Sequence, residues 1–255
     1  MELTEFADRL NGLLAVDEWR GADYAVNGLQ VGPETATIET AAFAVDGVEA
    51  TAVAAADAGA DVFVVHHGIS WGGIDRVTGA EYDRVQALVK NDLALYAAHL
   101  PLDAHPEYGN AALLCAELGL TVTEPFGREG PGHVGQRART TDREPYTTAG
   151  LRDALADLEG GGDVQVLDFG PDRIKDVAVL TGAGTDWLSE ARAKGVDALI
   201  TGEGKQPAYH EAREAGVSVF LAGHYATETF GVRALRELVD GWGLETTYLP
   251  HPTGL

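Results

Sequence analysis

The stretch Asp61-Val62-Phe63-Val64-Val65-His66-His67-Gly68-Ile69-Ser70-Trp71-Gly72-Gly73 decides how the rest of the chain is read. Val62 to Val65 has the length and the β-branched, aromatic composition of a strand buried on both faces of a parallel sheet. It breaks off in two histidines and a glycine. Ligands of open α/β sheets collect at the carboxyl ends of the strands, so His66 and His67 stand where chemistry is expected. Neutral imidazoles bind divalent transition metals well. Adjacent residues leave a strand end in different directions, so the two need not share one ion. Taken alone, the pair is equally well read as packed and hydrogen-bonded. Other parts of the chain decide.

Outward from this stretch, strands alternate with helices. Strands are expected at Ala41–Val45, Leu93–Ala98, Val164–Leu167, Val177–Leu180, Ala198–Thr201, Val217–Ala222 and Glu245–Leu249. Helices are expected near 2–14, 48–58, 81–90, 110–118, 148–158, 185–194, 208–215 and 226–239. Such alternation predicts an α/β protein. The order Asp46-Gly47, helix, Gly59-Ala60-Asp61, strand, His67-Gly68 recurs 136 positions later as Gly182, helix, Gly195-Val196-Asp197, strand, Glu203-Gly204. Two related three-layer α/β lobes facing each other across a metal-binding cleft would account for this echo. Texture changes between Pro125 and Pro145, and the glycine-rich, polar run Phe126–Gly135 reads as a linker into a second lobe. Residues 1–125 are therefore expected to belong to one lobe and 126–222 to the other.

The chain has 255 residues, 40 Asp and Glu, 18 Lys and Arg, and a formal charge of −22. This acidity disfavours nucleic acid and anionic membranes as partners, and it reads as adaptation to high salt. A single cysteine, Cys115, precludes an intramolecular disulfide and suits a reducing cytoplasm. It reads as a small buried residue in a helix. No signal-like or membrane-length apolar segment is evident.

Three clusters fall at strand ends: His66-His67, His99 with Asp103, and His224 with Glu228. The last pair is four residues apart at the start of a helix and so shares one helical face. Its bland alternative is a helix cap. Five candidate ligands among these six groups, three imidazoles and the two carboxylates, exceed the needs of one catalytic zinc but suit two ions sharing a bridging carboxylate, for which Asp103 is the choice. Trp71 reads either as an aromatic wedged under its loop or as a platform for a planar base. His105, His133, His210 and His251 read as loop or surface histidines.

Val65-His66-His67-Gly68, His99-Leu100-Pro101-Leu102-Asp103, Thr201-Gly202-Glu203 and Gly223-His224-Tyr225-Ala226-Thr227-Glu228, with Asn27-Gly28-Leu29-Gln30, together resemble the dinuclear-metal-centre family of Nif-three-like proteins, often labelled GTP cyclohydrolase type 2 homologues. The likeness covers nearly the whole chain in its short, two-lobed form, and it implies that the His-x-x-x-Glu helix returns to the first lobe, so that 1–125 with 223–255 make one lobe and 126–222 the other. It implies His66, His67, Asp103, His224 and Glu228 as ligands of two divalent ions, Zn, Mn, Fe or Ni, with Glu203 and His99 as polar groups beside them. It also implies a toroidal homohexamer. Leu100-Pro101-Leu102 departs from the Thr-Asn-Leu common in the family, and residues 126–176 match it sparsely. The function implied is a dinuclear metal-dependent hydrolase that opens the guanine ring of GTP with a metal-bridging hydroxide, with Glu203 or His99 moving the proton. A small-molecule substrate, a nucleotide by that label, is expected. The alternative is a non-catalytic metal-binding assembly or adaptor for metal or cofactor handling.

Overall fold

The computed structural model describes residues 1–33 and 35–255. In chain order, the first half carries α1 (Leu3–Leu13), β1 (Gly28–Val31), β2 (Thr40–Asp46), α2 (Glu49–Asp57), β3 (Val62–His67), α3 (Ala80–Lys90), β4 (Ala94–Ala97), α4 (Leu100–Asp103) and α5 (Asn110–Glu117). There follow β5 (Thr121–Glu129), β6 (Gly132–Arg139), α6 (Thr148–Ala156), β7 (Gln165–Leu167) and β8 (Asp176–Val179). The remainder is α7 (Leu188–Lys194), β9 (Ala198–Thr201), α8 (Ala208–Ala215), β10 (Ser218–Leu221), α9 (His224–Asp240) and β11 (Glu245–Tyr248). The chain is an α/β protein with two mixed sheets. Among the described residues, no helix is long and apolar enough to cross a membrane.

Two compact units emerge. The first comprises Met1–Leu102 and Gly231–His251, the second Asp103–Phe230 and Pro252–Leu255. These bounds lie elsewhere than the expected 125/126 and 222/223 divisions. The expected linker is also not a loop: β5 and β6 pair antiparallel from Thr121↔Arg139 to Glu129↔Gly132. β5 occupies the edge of its sheet, where one side of the backbone needs no partner strand, and this tolerates Pro125.

In the first unit the sheet order is β1-β4-β3-β2-β11. β2, β3 and β4 run parallel, and β1 closes one edge antiparallel to β4. Phe63, Val65, Ala42, Ala44 and Leu95 pack with Ala52 and Ala55 of α2 and with Leu88 of α3. Each large apolar side chain buried in this way contributes roughly 1.5–3 kcal/mol. The alanines of α2 keep it close to the sheet.

In the second unit the order is β5-β6-β8-β9-β10-β7. β8, β9 and β10 run parallel, and β7 is antiparallel to β10. Leu114 and Cys115 of α5, Leu151 and Leu155 of α6, and Ala226 of α9 share a core with Val177, Ile200 and Phe220. Burial pushes the Cys115 thiol up to about 12, so it packs as a neutral apolar group.

The echo seen in the sequence extends to individual hydrogen bonds. Asp61 Oδ2 accepts the backbone N–H groups of Glu39 and Thr40, at 2.7 and 3.0 Å. Asp197 Oδ2 accepts those of Lys175 and Asp176, at 2.8 and 2.9 Å. Gly59 and Gly195 stop the preceding helices at φ +75° and +66°, a region that glycine enters without strain.

Candidate metal centre

The first unit gathers three histidines at the ends of two neighbouring parallel strands. β3 delivers His66 and His67, and the chain leaving β4 delivers His99. Their ring centroids lie 4.7 Å (His66–His67), 5.1 Å (His66–His99) and 5.7 Å (His67–His99) apart. One ligand atom from each falls within 4.8 Å of the others.

Each imidazole is oriented through Nδ1. His66 Nδ1 lies 2.8 Å from the Ala98 carbonyl oxygen. His67 Nδ1 lies 2.8 Å from Asp46 Oδ1, and His99 Nδ1 lies 2.9 Å from Asp23 Oδ1. A carbonyl or ionised carboxylate only accepts, so Nδ1 carries the proton and Nε2 carries the lone pair, the atom through which an imidazole ligates a cation or takes up a proton. Imidazoles that ligate metals are held by outer partners of this kind. The donor set therefore fits a divalent transition metal.

These supports follow from sheet register. β2 pairs in parallel with β3, so Asp46 falls opposite His67. Asp23 is a node: its carboxylate also accepts from Ala25 N, Asn27 Nδ2 and Leu100 N. Burial pushes the Asp23 carboxyl up, but the bonds from His99, Asn27 and Ala25 outweigh it and hold the group below the usual carboxylate range. Asn27 Oδ1 accepts the His99 N–H at 2.7 Å, and Gln30 Oε1 accepts the Ile69 N–H at 2.8 Å. The Asn27-Gly28-Leu29-Gln30 motif thus braces the two histidine-bearing loops.

In the second unit His224 opens α9 and Glu228 follows one turn later, with His224 Nε2 3.1 Å from Glu228 Oε2. Glu228 is almost wholly buried. His224 Nδ1 lies 3.1 Å from Glu203 Oε1, so Glu203 supports His224 as Asp46 supports His67. Gly182 clears room for this pair: a Cβ there would run into the Glu228 carboxylate and approach His224 Nε2 to 3.1 Å. Its φ of +60° also suits glycine. Asp103 is buried at the end of the single-turn α4, with Pro101 within that turn. Its Oδ1 accepts from Asn110 Nδ2 at 2.8 Å.

The structure thus brings His66, His67 and His99 together in the first unit, and His224, Glu228 and Glu203 together in the second. His105 is engaged otherwise: Nδ1 accepts the N–H groups of Glu107 and Tyr108, and burial pulls it below the ordinary imidazole range. Asp23, Asp46 and Asn110 do not stand out in the sequence. The available signal for Asp46 is its place at the end of the strand preceding β3. For Asp23 it is only proximity to Asn27.

A family model described as Duf34/NIF3 (NGG1p interacting factor 3) matches residues 1–252. A Halobacterium salinarum protein named GTP cyclohydrolase 1 type 2 homolog is 56% identical over 257 residues, covering all of both chains. A protein of the same name from Archaeoglobus fulgidus is 40% identical over 258 residues, again covering both chains fully. The crystal structure of a Thermus thermophilus protein, TTHA1606, superposes with a TM-score of 0.90 at 36% identity, over 100% of each chain.

Proposed function

This chain belongs to the DUF34/NIF3 family, and we propose from that premise that it is a metal-dependent hydrolase whose ligands His66, His67, Asp103, His224 and Glu228 hold two divalent ions. The observation that supports this reading is the outer support of each imidazole. Ala98 O, Asp46 and Glu203 hold the Nδ1 atoms of His66, His67 and His224. Partners of this kind fix the tautomer of a ligating imidazole and raise its basicity.

When bound, such ions lower the pKa of water toward neutrality and polarise the bond under attack. The chain's own groups then handle the proton. His99, with its Nδ1–H held by Asp23, accepts the proton of the attacking water at Nε2, and the Asp23 carboxylate stabilises the resulting imidazolium. Glu203 serves His224 as an orienting group rather than as the proton carrier.

The name GTP cyclohydrolase 1 type 2 homolog, carried by the relatives, supports GTP as the substrate, and opening of its guanine ring by water with release of formate belongs to the same proposal. Assembly as a toroidal hexamer belongs to the same proposal and is read by light scattering at high salt. The test of activity is formate release from GTP by metal-reconstituted protein, beside His99→Gln. Turnover in the wild type, reduced about 100-fold or more in the variant at equal metal content, supports the reading. Stable metal binding with no turnover of any nucleotide tested would shift it to a non-catalytic metal-handling assembly.

A further inference from the structure

Trp71 stands against the histidine cluster. Its ring centroid lies 5.1 Å from that of His99 and 6.0 Å from that of His67. The indole meets His99 nearly edge-on, at 73° between planes. Backbone pairing fixes the segment: Val26 N donates to Ser70 O, Ala25 bridges Trp71, and Gly72 N donates to Tyr24 O. The loop is thus zipped to the segment before β1 that carries Asp23 and Asn27, the two residues that anchor His99.

Despite this anchoring the side chain is not core. Trp71 is 38% exposed, whereas Trp19, which packs in the interior, is 5% exposed. Its one polar atom is already used, since Nε1–H donates to the Gly68 carbonyl at 3.1 Å. What remains for a ligand is the π surface. An indole face held rigidly, with no hydrogen-bonding group left over, suits the face of a flat heteroaromatic ring and offers little to a simple phosphoester.

We propose that Trp71 is a specificity-determining residue that stacks on a planar heteroaromatic ring of the substrate and holds it beside the His66–His67–His99 cluster. This rests on the hydrolase reading and adds to it the residue that recognises the ring. A ring stacked on this indole lies about one ring-width from the imidazoles that would carry the chemistry. Stacking contributes to binding, so the residue acts on substrate affinity more than on the chemical step.

The experiment is equilibrium binding of guanosine, and separately of inorganic triphosphate, to the metal-loaded full chain, for wild type, Trp71→Leu and Trp71→Phe. GTP turnover is followed on the same samples. The expected result is guanosine binding weakened about tenfold or more in Trp71→Leu and within about threefold of wild type in Trp71→Phe. Triphosphate binding and metal content are unchanged in all three, and KM rises in Trp71→Leu with kcat nearly constant. Equal guanosine affinity in wild type and Trp71→Leu, no guanosine binding by wild type, or loss of metal from Trp71→Leu would each overturn the proposal. The two readings fail separately. GTP turnover with a KM indifferent to Trp71 leaves the hydrolase and removes the stacking role. Trp71-dependent guanosine binding without turnover does the reverse.

Discussion

The two sheets share one hydrogen-bonded frame and finish it differently. In each, three successive parallel strands have an antiparallel strand beside the third, and an aspartate 136 positions from its counterpart clamps two backbone N–H groups; beside the first strand stands parallel β11 in one sheet and antiparallel β6 in the other. At the tips the correspondence ends. Where the first unit has Asp46, His66 and His67, the second has Gly182, Gly202 and Glu203 at the equivalent positions. The first sheet presents donors from its own strand ends. The second has glycines that let α9 approach, and the donors His224 and Glu228 come from that helix. A Cβ at Gly202 would lie 2.6 Å from the His224 Cα, so the substitution of small residues for ligands is what admits the helix. One frame therefore supports two ways of presenting metal-ligating side chains.

The largest effect expected from breaking this contrast comes from Gly182→Ala. The added methyl collides with Glu228 and the φ of +60° opposes it, so metal affinity should fall about 100-fold in a chelator-competition titration. Unchanged affinity would mean that Gly182 is merely a turn. Next come the supporting carboxylates. Asp46→Asn should weaken metal binding about tenfold, and Glu203→Gln by less, because Glu203 is over half exposed and its loss is softened by water. Equal and negligible effects from both would remove the outer-support argument.

The shared frame is tested by Asp61→Ala and Asp197→Ala. Each strips an acceptor from two backbone N–H groups and should cost about 1–3 kcal/mol, lowering Tm by a few degrees without altering metal affinity. A large loss in one unit and none in the other would show that the echo is superficial. The smallest effect concerns pH. Burial raises the Asp176 carboxyl, but bonds from Arg137 and Arg139 prevail and depress it. A depressed carboxyl stabilises the fold above its unfolded pKa, about 3.9, and that contribution disappears as pH falls further. Asp176→Asn should thus be less stable than wild type at pH 7, with the gap closing below about pH 4. A gap constant over this range would contradict the assignment.

Much of this is legible in the residues. The apolar run ending in His66-His67 and the i, i+4 pair His224 and Glu228 are local patterns, and local patterns survive folding. The β5–β6 hairpin is hidden because β5 carries Pro125 and Gly127, which read as breakers but are tolerated on an edge strand. Asp23 and Asp46 are hidden for another reason. Their function lies in contacts 76 and 21 positions along the chain, set by strand pairing rather than by spacing. Ligands announce themselves by type; the groups that aim them do not.

The central claim is that the five donors form a two-metal site. Elemental analysis of protein purified at high salt, without chelator or affinity nickel, tests it most directly, with Asp103→Ala alongside. The account predicts close to two divalent ions per chain in the wild type, dropping sharply in the variant. No metal above background in either protein, even after reconstitution, would contradict it and leave His66 and His67 as structural residues.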